Sequence, residues 1–349
     1  MENNTTVTKE TKNKIRVDYE GKLTLKEKLL SKVKTWNTWV RIAVNIFRFI
    51  LMLGVSYVII YPFISRIAGS FMTREDVLDA TVSLIPKHFT LDIYKYIIIE
   101  NHYFDAVWHT ALLSLLCALV QTLIACLIGY GLAKFKFKGN TIIMLAVVIT
   151  MVIPHRTLQL AIQQHFTQFD LLAVQAWGIP GPIELILGDA PEITNTFWPL
   201  IIMSISGLAF KNGLYIYLMR QFFKGVPDEL EESAYVDGSG VFRTFFQIIL
   251  PLSVPMMITI FLFSFSWQWT DEFYTTIFWT DNANKFYLMP DIYKNIPASL
   301  DASKLTGWTL YKNVIQNTAG MLIIAPLIIM YLFCQRYLVQ GIERSGLVG

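Results

Sequence analysis

Long apolar runs separated by short polar breaks fill most of this chain. A membrane span needs about 20 mostly apolar residues. Six stretches reach that length: 44–65, 106–132, 142–162, 197–222, 248–277 and 314–333. The pattern predicts an all-α integral membrane protein with six transmembrane helices. Ahead of them lies a polar, lysine-rich arm with no apolar core of a signal peptide. Within the arm, Leu25, Leu29, Val33, Trp36 and Val40 recur at helical spacing, with Lys26, Lys28, Lys32 and Lys34 between them. That spacing predicts an amino-terminal cytoplasmic helix over 23–40, lying on an anionic membrane surface. Residues before 23 read equally well as a solvated tail. The expected layout is a basic extension over 1–43, a six-span domain over 44–337 and a tail over 338–349.

Composition agrees with the pattern. Hydrophobic residues make up 54% of the chain and charged residues only 16%, where a soluble domain keeps about 25% charged. The three cysteines, Cys117, Cys126 and Cys334, fall inside apolar runs with no C-x-x-C pair, so they read as small buried hydrophobes. His109, His155 and His165 lack metal-ligand spacing, and no metal site is expected. His155 and Arg156 follow Pro154 in the third run and mark a helix break or an outer face. Ala125, Gly129 and Ala133, four residues apart, would let two helix backbones approach closely in lipid.

Charge orients the spans. Lysine and arginine gather in the arm, in the KFKFKG loop after the second run, after the fourth run (Arg220, Lys224, Arg243) and at the carboxyl end (Arg336, Arg344). The stretch 157–199 has neither. By the positive-inside rule both termini are cytoplasmic, and so is the loop between the fourth and fifth runs. That loop reads GVPDELEESAYVDG. Pro227 suits a first helical position, Asp228 and Glu229 suit the positive helix end, and Gly238 can supply a left-handed stop. A short cytoplasmic helix near 227–238 is predicted, with Leu230 and Ala234 on one face and Ser233 keeping it slim.

The loop resembles that of the membrane subunits of ATP-binding-cassette importers, of form E-A-A, three residues, G, nine residues, I, one residue, L-P. Glu232, Ser233, Ala234, Gly238, Ile248, Leu250 and Pro251 stand at those positions, with Ser233 the one departure. IPKHFTLDIY, AKFKFKG and CQRYLVQGIERSGLVG are similar to segments of the maltose-type carbohydrate permeases, with Ile93 and Val348 departing from the pattern. The resemblance covers roughly 44–349 and implies a type I importer permease fold in a bacterial cytoplasmic (inner or plasma) membrane. It also implies partners: an ATPase dimer, a second homologous permease and an extracellular or periplasmic solute-binding protein. In that family the short helix docks in a groove of the ATPase, where Glu232 meets a basic residue. Ser233 and Ala234 would let the backbone sit deep, and Pro251 would start the fifth span. No G-x-x-x-x-G-K-[ST] cradle occurs in the chain, so ATP and magnesium belong to the partner ATPase and this chain is not an enzyme. No cofactor and no nucleic acid are expected.

Charges inside a bilayer cost about 2.5–3.5 kcal/mol each on insertion scales. Lys211, inside the fourth run, could pair with an acid, line a path, snorkel or sit at a kink. FSFSWQWTDEFYTTIFW in the fifth run places Trp267 with Asp271, and Gln268 with Glu272, on shared helical faces. These could contact the polar edges and CH faces of a carbohydrate. They could equally form an aromatic belt, with Trp269 and Tyr274 its foremost members. The alternative function is a stand-alone secondary transporter or channel for a small polar solute. A membrane-embedded enzyme has no paired motif to support it.

Overall fold

The computed structural model describes residues 9–10, 16–17, 36–170, 181–279, 287–301 and 306–346. Two compact units result, Met1–Ser65 and Arg66–Gly349. In the first, two-residue strands β1 (Lys9–Glu10) and β2 (Arg16–Val17) pair antiparallel. The helix α1 (Trp36–Gly69) follows. Its apolar side chains over 39–64 are all exposed, the surface a lipid-facing span presents. The interfacial helix expected over 23–40 falls mostly outside the described residues.

The second unit is helical. After α2 (Arg74–Leu78) and α3 (Asp92–Glu100) come the long α4 (Tyr103–Lys134), then α5 (Asn140–Val152), a tight turn at His155–Leu158 and α6 (Gln159–Thr167). α7 (Pro182–Leu187), α8 (Trp198–Ile205), α9 (Asn212–Lys224) and α10 (Glu229–Val236) lead to α11 (Val241–Trp269). The chain ends with α12 (Phe273–Phe278), α13 (Met289–Lys294) and α14 (Trp308–Gly346), which continues as helix past 337.

Among the described residues, α1, α4, α11 and α14 are long and apolar enough to cross a membrane singly. α5 and the chain after Pro154 make a fifth only as a pair bent by 94°. The fourth predicted span is α8 and α9, interrupted over 206–211, and neither half is long enough alone. Four or five spans therefore stand where six were predicted. The break in the third run falls at Pro154, which cannot continue a helix because it lacks an N–H and its ring crowds the preceding turn.

α4 is the axis of this unit. Its buried positions Ala106, Thr110, Leu113, Cys117, Gln121, Ala125 and Gly129 recur every three or four residues, one continuous face of a helix. α9 and α11 pack on that face. A Cβ on Gly129 would sit 2.6 Å from the Met219 Cβ and 2.9 Å from the Arg220 nitrogen, so the two backbones touch. The small-residue spacing thus marks an internal contact. Gly213 does the same against α5, where a Cβ would meet Thr150 Oγ1 at 2.5 Å.

Pro251 does not start a span. Helix runs without interruption from Val241 to Trp269, with a π turn over Phe245–Ile249 just ahead of the proline. That wider turn makes room for the proline ring and absorbs its missing hydrogen bond. Trp269 and Tyr274 are not belt residues. Both are buried, and the Trp269 indole nitrogen donates to the Ile323 carbonyl at 2.9 Å.

Candidate functional site

Two regions carry polar chemistry. The first surrounds the short helix α10. It begins one residue after Asp228 rather than at Pro227, and gathers Glu229, Glu231 and Glu232 in its first turn, at the positive helix end. Its carboxyl end closes in a Schellman arrangement. The Ser239 N–H donates to the Ala234 carbonyl at 2.9 Å and the Gly238 N–H to the Tyr235 carbonyl at 3.0 Å. Gly238 takes φ of +82°, which a Cβ would strain.

The faces of α10 differ from expectation. Glu231 and Ala234 turn inward and are buried, whereas Leu230, Glu232 and Ser233 face out. Leu230, four residues before Ala234, lies on the same side of the helix but at its edge, where it is exposed. Beneath lie Tyr130, Phe223, Val226, Phe245 and Ile249, one apolar cluster joining α4, α9 and α11. The Tyr130 and Phe245 rings are 4.8 Å apart. Ile248 and Leu250 pack partly buried against the same cluster, while Pro251 is exposed. The Tyr130 hydroxyl lies within reach of Glu231 and Tyr235, yet neither it nor Glu231 Oε1 meets hydrogen-bond geometry.

Lys134, the last residue of α4, holds the loop from the side. Its Nζ donates to the Val226 carbonyl at 2.6 Å and to Asp228 Oδ1 at 2.5 Å, and its side chain is only 6% exposed. The hydrogen bond and charge of Lys134 hold the Asp228 carboxyl below the ordinary carboxylate range. Sequence reasoning missed this clamp, because 94 residues separate its ends.

The second region is where two spans break at neighbouring places. Lys211 lies outside either helical half, in the left-handed conformation at φ +64°, just ahead of α9. Its ammonium stands 4.9 Å from the Phe210 ring centre and 5.1 Å from that of Trp267, within cation–π range. A cleft of about 350 Å³ opens beside it, lined by 150–155, Gly207–Ala209, Lys211 and Gly213. The walls of a smaller hollow bring together Trp267, Gln268 and Asp271 with Gln121, Phe210 and Ser264. α11 ends at Trp269, so Asp271 and Glu272 share no helical face with Trp267 and Gln268. Asp271 reaches the hollow from the turn, where its Oδ1 accepts from the Tyr274 N–H at 3.3 Å and its buried Oδ2 has no partner. Glu272 points elsewhere, to Lys294 at 3.4 Å.

Four uncharged polar residues that charge counting overlooked, Gln121, Ser204, Asn212 and Ser264, complete this region. Gln121 accepts from Ser264 Oγ at 2.8 Å and donates to Ser204 Oγ at 3.2 Å, linking three helices across the bundle. Asn212 is fully buried with neither amide atom paired. A lone amide or hydroxyl in an apolar run changes hydropathy little, which is why only their coming together reveals them. Among the described residues, no three His, Cys, Asp or Glu side chains converge on a metal-sized site.

Comparison with known proteins places this architecture. A family model described as "Binding-protein-dependent transport system inner membrane component" matches residues 121–344. The chain is 26% identical over 303 residues to Protein LplC of Bacillus subtilis (strain 168), covering 85% of this chain and 92% of LplC. It is 26% identical over 309 residues to the polygalacturonan/rhamnogalacturonan transport system permease protein YtcP of the same organism, covering 87% and 97%. Over 287 residues it is 26% identical to the probable starch degradation products transport system permease protein AmyC of Thermoanaerobacterium thermosulfurigenes, covering 81% and 89%. A solved structure of a bacterial ABC transporter involved in the import of the acidic polysaccharide alginate has a chain of similar fold. The TM-score is 0.61 at 19% identity, over 84% of this chain and 96% of that one.

Proposed function

Because the chain belongs to the binding-protein-dependent transport system inner membrane components, we propose that it is one of two permeases enclosing a carbohydrate path, driven by a separate ATPase dimer. It is a transport subunit and not an enzyme. The carbohydrate reading draws on relatives whose names speak of polygalacturonan, rhamnogalacturonan and starch products. An oligosaccharide is the substrate class, delivered by an extracellular or periplasmic binding protein. ATP and magnesium are held by the ATPase. The membrane is the bacterial cytoplasmic one, with both termini and α10 on the cytoplasmic side and the two broken spans counted as the third and fourth of six.

The observation that carries the reading is α10 itself. It is a short helix closed by Gly238, presenting Glu232 and Ser233 outward and tied by Lys134 to the end of a long span. A helix held in this way transmits the movement of whatever grips it. Ala234, buried beneath, serves the grip on this chain's own bundle rather than the partner's groove. When two ATPases close on ATP, the paired short helices shift and the spans rock between outward-open and inward-open states. Lys211, Trp267, Gln268 and Asp271 then line the path, offering aromatic faces beside hydrogen-bonding groups. Glu272, turned toward Lys294, has no part in it.

The test is uptake of labelled oligosaccharide into vesicles carrying the whole transporter. Glu232→Ala is expected to leave ATP hydrolysis running while uptake falls. Uptake by this chain alone without ATP would sink the reading in favour of a stand-alone transporter.

A further inference from the structure

The KFKFKG loop does more than orient the spans. Where α4 ends and α5 begins, a recess of about 530 Å³ is lined by Lys136, Lys138, Asn140, Arg220 and Lys224 with a few apolar neighbours. That volume falls within the range of small-ligand sites. Four cations line it and no carboxylate does. Among the described residues none of the four makes an ion pair, while Lys134 next door is already committed to Asp228. Like charges brought this close repel one another unless an anion sits among them.

The backbone adds to the imbalance. Two carbonyls at the negative end of α4 are already used. Leu132 accepts from Asn140 Nδ2 at 3.2 Å and from Arg220 Nε at 3.4 Å, and Phe135 accepts from Asn140 Nδ2 at 3.1 Å. α5 begins beside them at Asn140, behind Gly139, with no side-chain cap and no acidic residue in its first turn, so its positive end is uncompensated. Asp228 is bonded to Lys134 and lies outside the lining.

Level in the membrane selects the anion. α4 is apolar up to Lys134, so the recess lies where the span meets the headgroups. Phe135 and Phe137, alternating with the lysines, are 41% and 44% exposed and can lodge among acyl chains. We propose that this recess binds the phosphate headgroup of an anionic phospholipid. The site is independent of the carbohydrate reading. It would seat a lipid between α4, α5 and α9, one turn from the clamp that steadies α10.

The experiment uses the whole transporter in nanodiscs of phosphatidylcholine containing a minority of phosphatidylglycerol, with retained lipid counted by native mass spectrometry. Phosphatidylglycerol should be enriched over phosphatidylcholine. Replacing Lys136, Lys138 and Lys224 with Gln should cut that enrichment by about fivefold per lysine, roughly a hundredfold together. The same three positions changed to Arg should retain it, which separates charge from misfolding. Arg220 is left in place because it also holds the α4 carbonyl. Unchanged enrichment in the Gln variant would overturn the proposal. So would protection of the protein by inorganic phosphate with no gain from phosphatidylglycerol, which would assign the recess to a soluble anion.

Discussion

At the Lys224 end of α9 the chain is fastened on several sides, whereas at the Lys211 end it is left loose. Past Lys224, Val226 is buried under the Tyr130 cluster and its carbonyl is held by Lys134, and α10 follows at once. Ahead of α9, Lys211 has a left-handed backbone, the Asn212 side-chain amide has no hydrogen-bond partner and a cleft opens beside the breaks of the two spans. Irregular backbone at membrane depth is tolerated where it lines a cavity. The same helix thus has one end suited to being pushed and one suited to rearranging.

The comparison breaks most completely if the bundle itself is opened. Gly129→Leu would drive a side chain into the Met219 and Arg220 backbone, which cannot move aside without separating α4 from α9. A cost of about 3 kcal/mol is expected, read as loss of the monodisperse peak in size-exclusion chromatography. Survival with unchanged thermal stability would mean the contact is not tight.

Lys134→Met attacks the fastened end alone. It leaves the buried Val226 carbonyl without its charged donor, worth about 2 kcal/mol. The exposed Asp228 partner adds little. ATP hydrolysis and uptake should come apart. Lys211→Met, at the loose end, should instead change uptake while hydrolysis still responds to the binding protein. If both variants uncouple equally, the division of labour along α9 is wrong.

Gly238→Ala is milder. The residue must hold φ near +82° with open space around it, so only backbone strain opposes the methyl group. The expected loss is about 1 kcal/mol, seen as a lower melting temperature and a partly reduced uptake per ATP.

The fastened end was the more legible of the two in sequence, for physical reasons. Gly238 and the acidic first turn of α10 are local signals whose meaning depends on a few neighbours. The stripe of Ala125, Gly129 and Ala133 follows from helical geometry alone. The loose end obeys no local rule. The run 197–222 stays apolar enough across the break at 206–211, despite Ser206 and Lys211, that hydropathy reads one span where the chain forms two pieces. The end of α11 at Trp269 is equally silent, because Thr270 and Asp271 interrupt an aromatic-rich run without proline or glycine. Glu231 reads as one more exposed acid among three, and only the packing of α10 on Tyr130 shows that it is the buried one.

The smallest effect is a titration of the clamp. Asp228 gains Lys134 as a partner on folding, and its folded pKa lies below its unfolded value of about 3.9. Its contribution is therefore complete above that value and fades as the pH falls through the lower, folded pKa. Asp79, held low by Lys87 and Thr81, titrates in the same acidic window, so total acid sensitivity says nothing about the clamp. The difference between the wild-type protein and Asp228→Asn isolates it, since Asp79 is common to both. Thermal stability of the two should differ slightly at neutral pH and converge in acid, once the pH has fallen through the lowered folded pKa. Lys134→Met should remove most of the difference, because only the weaker charge effect of Lys136 then acts on the carboxylate. A gap that persists in acid, or undiminished in the Lys134→Met background, would mean that Asp228 steadies α10 by some means other than its charge.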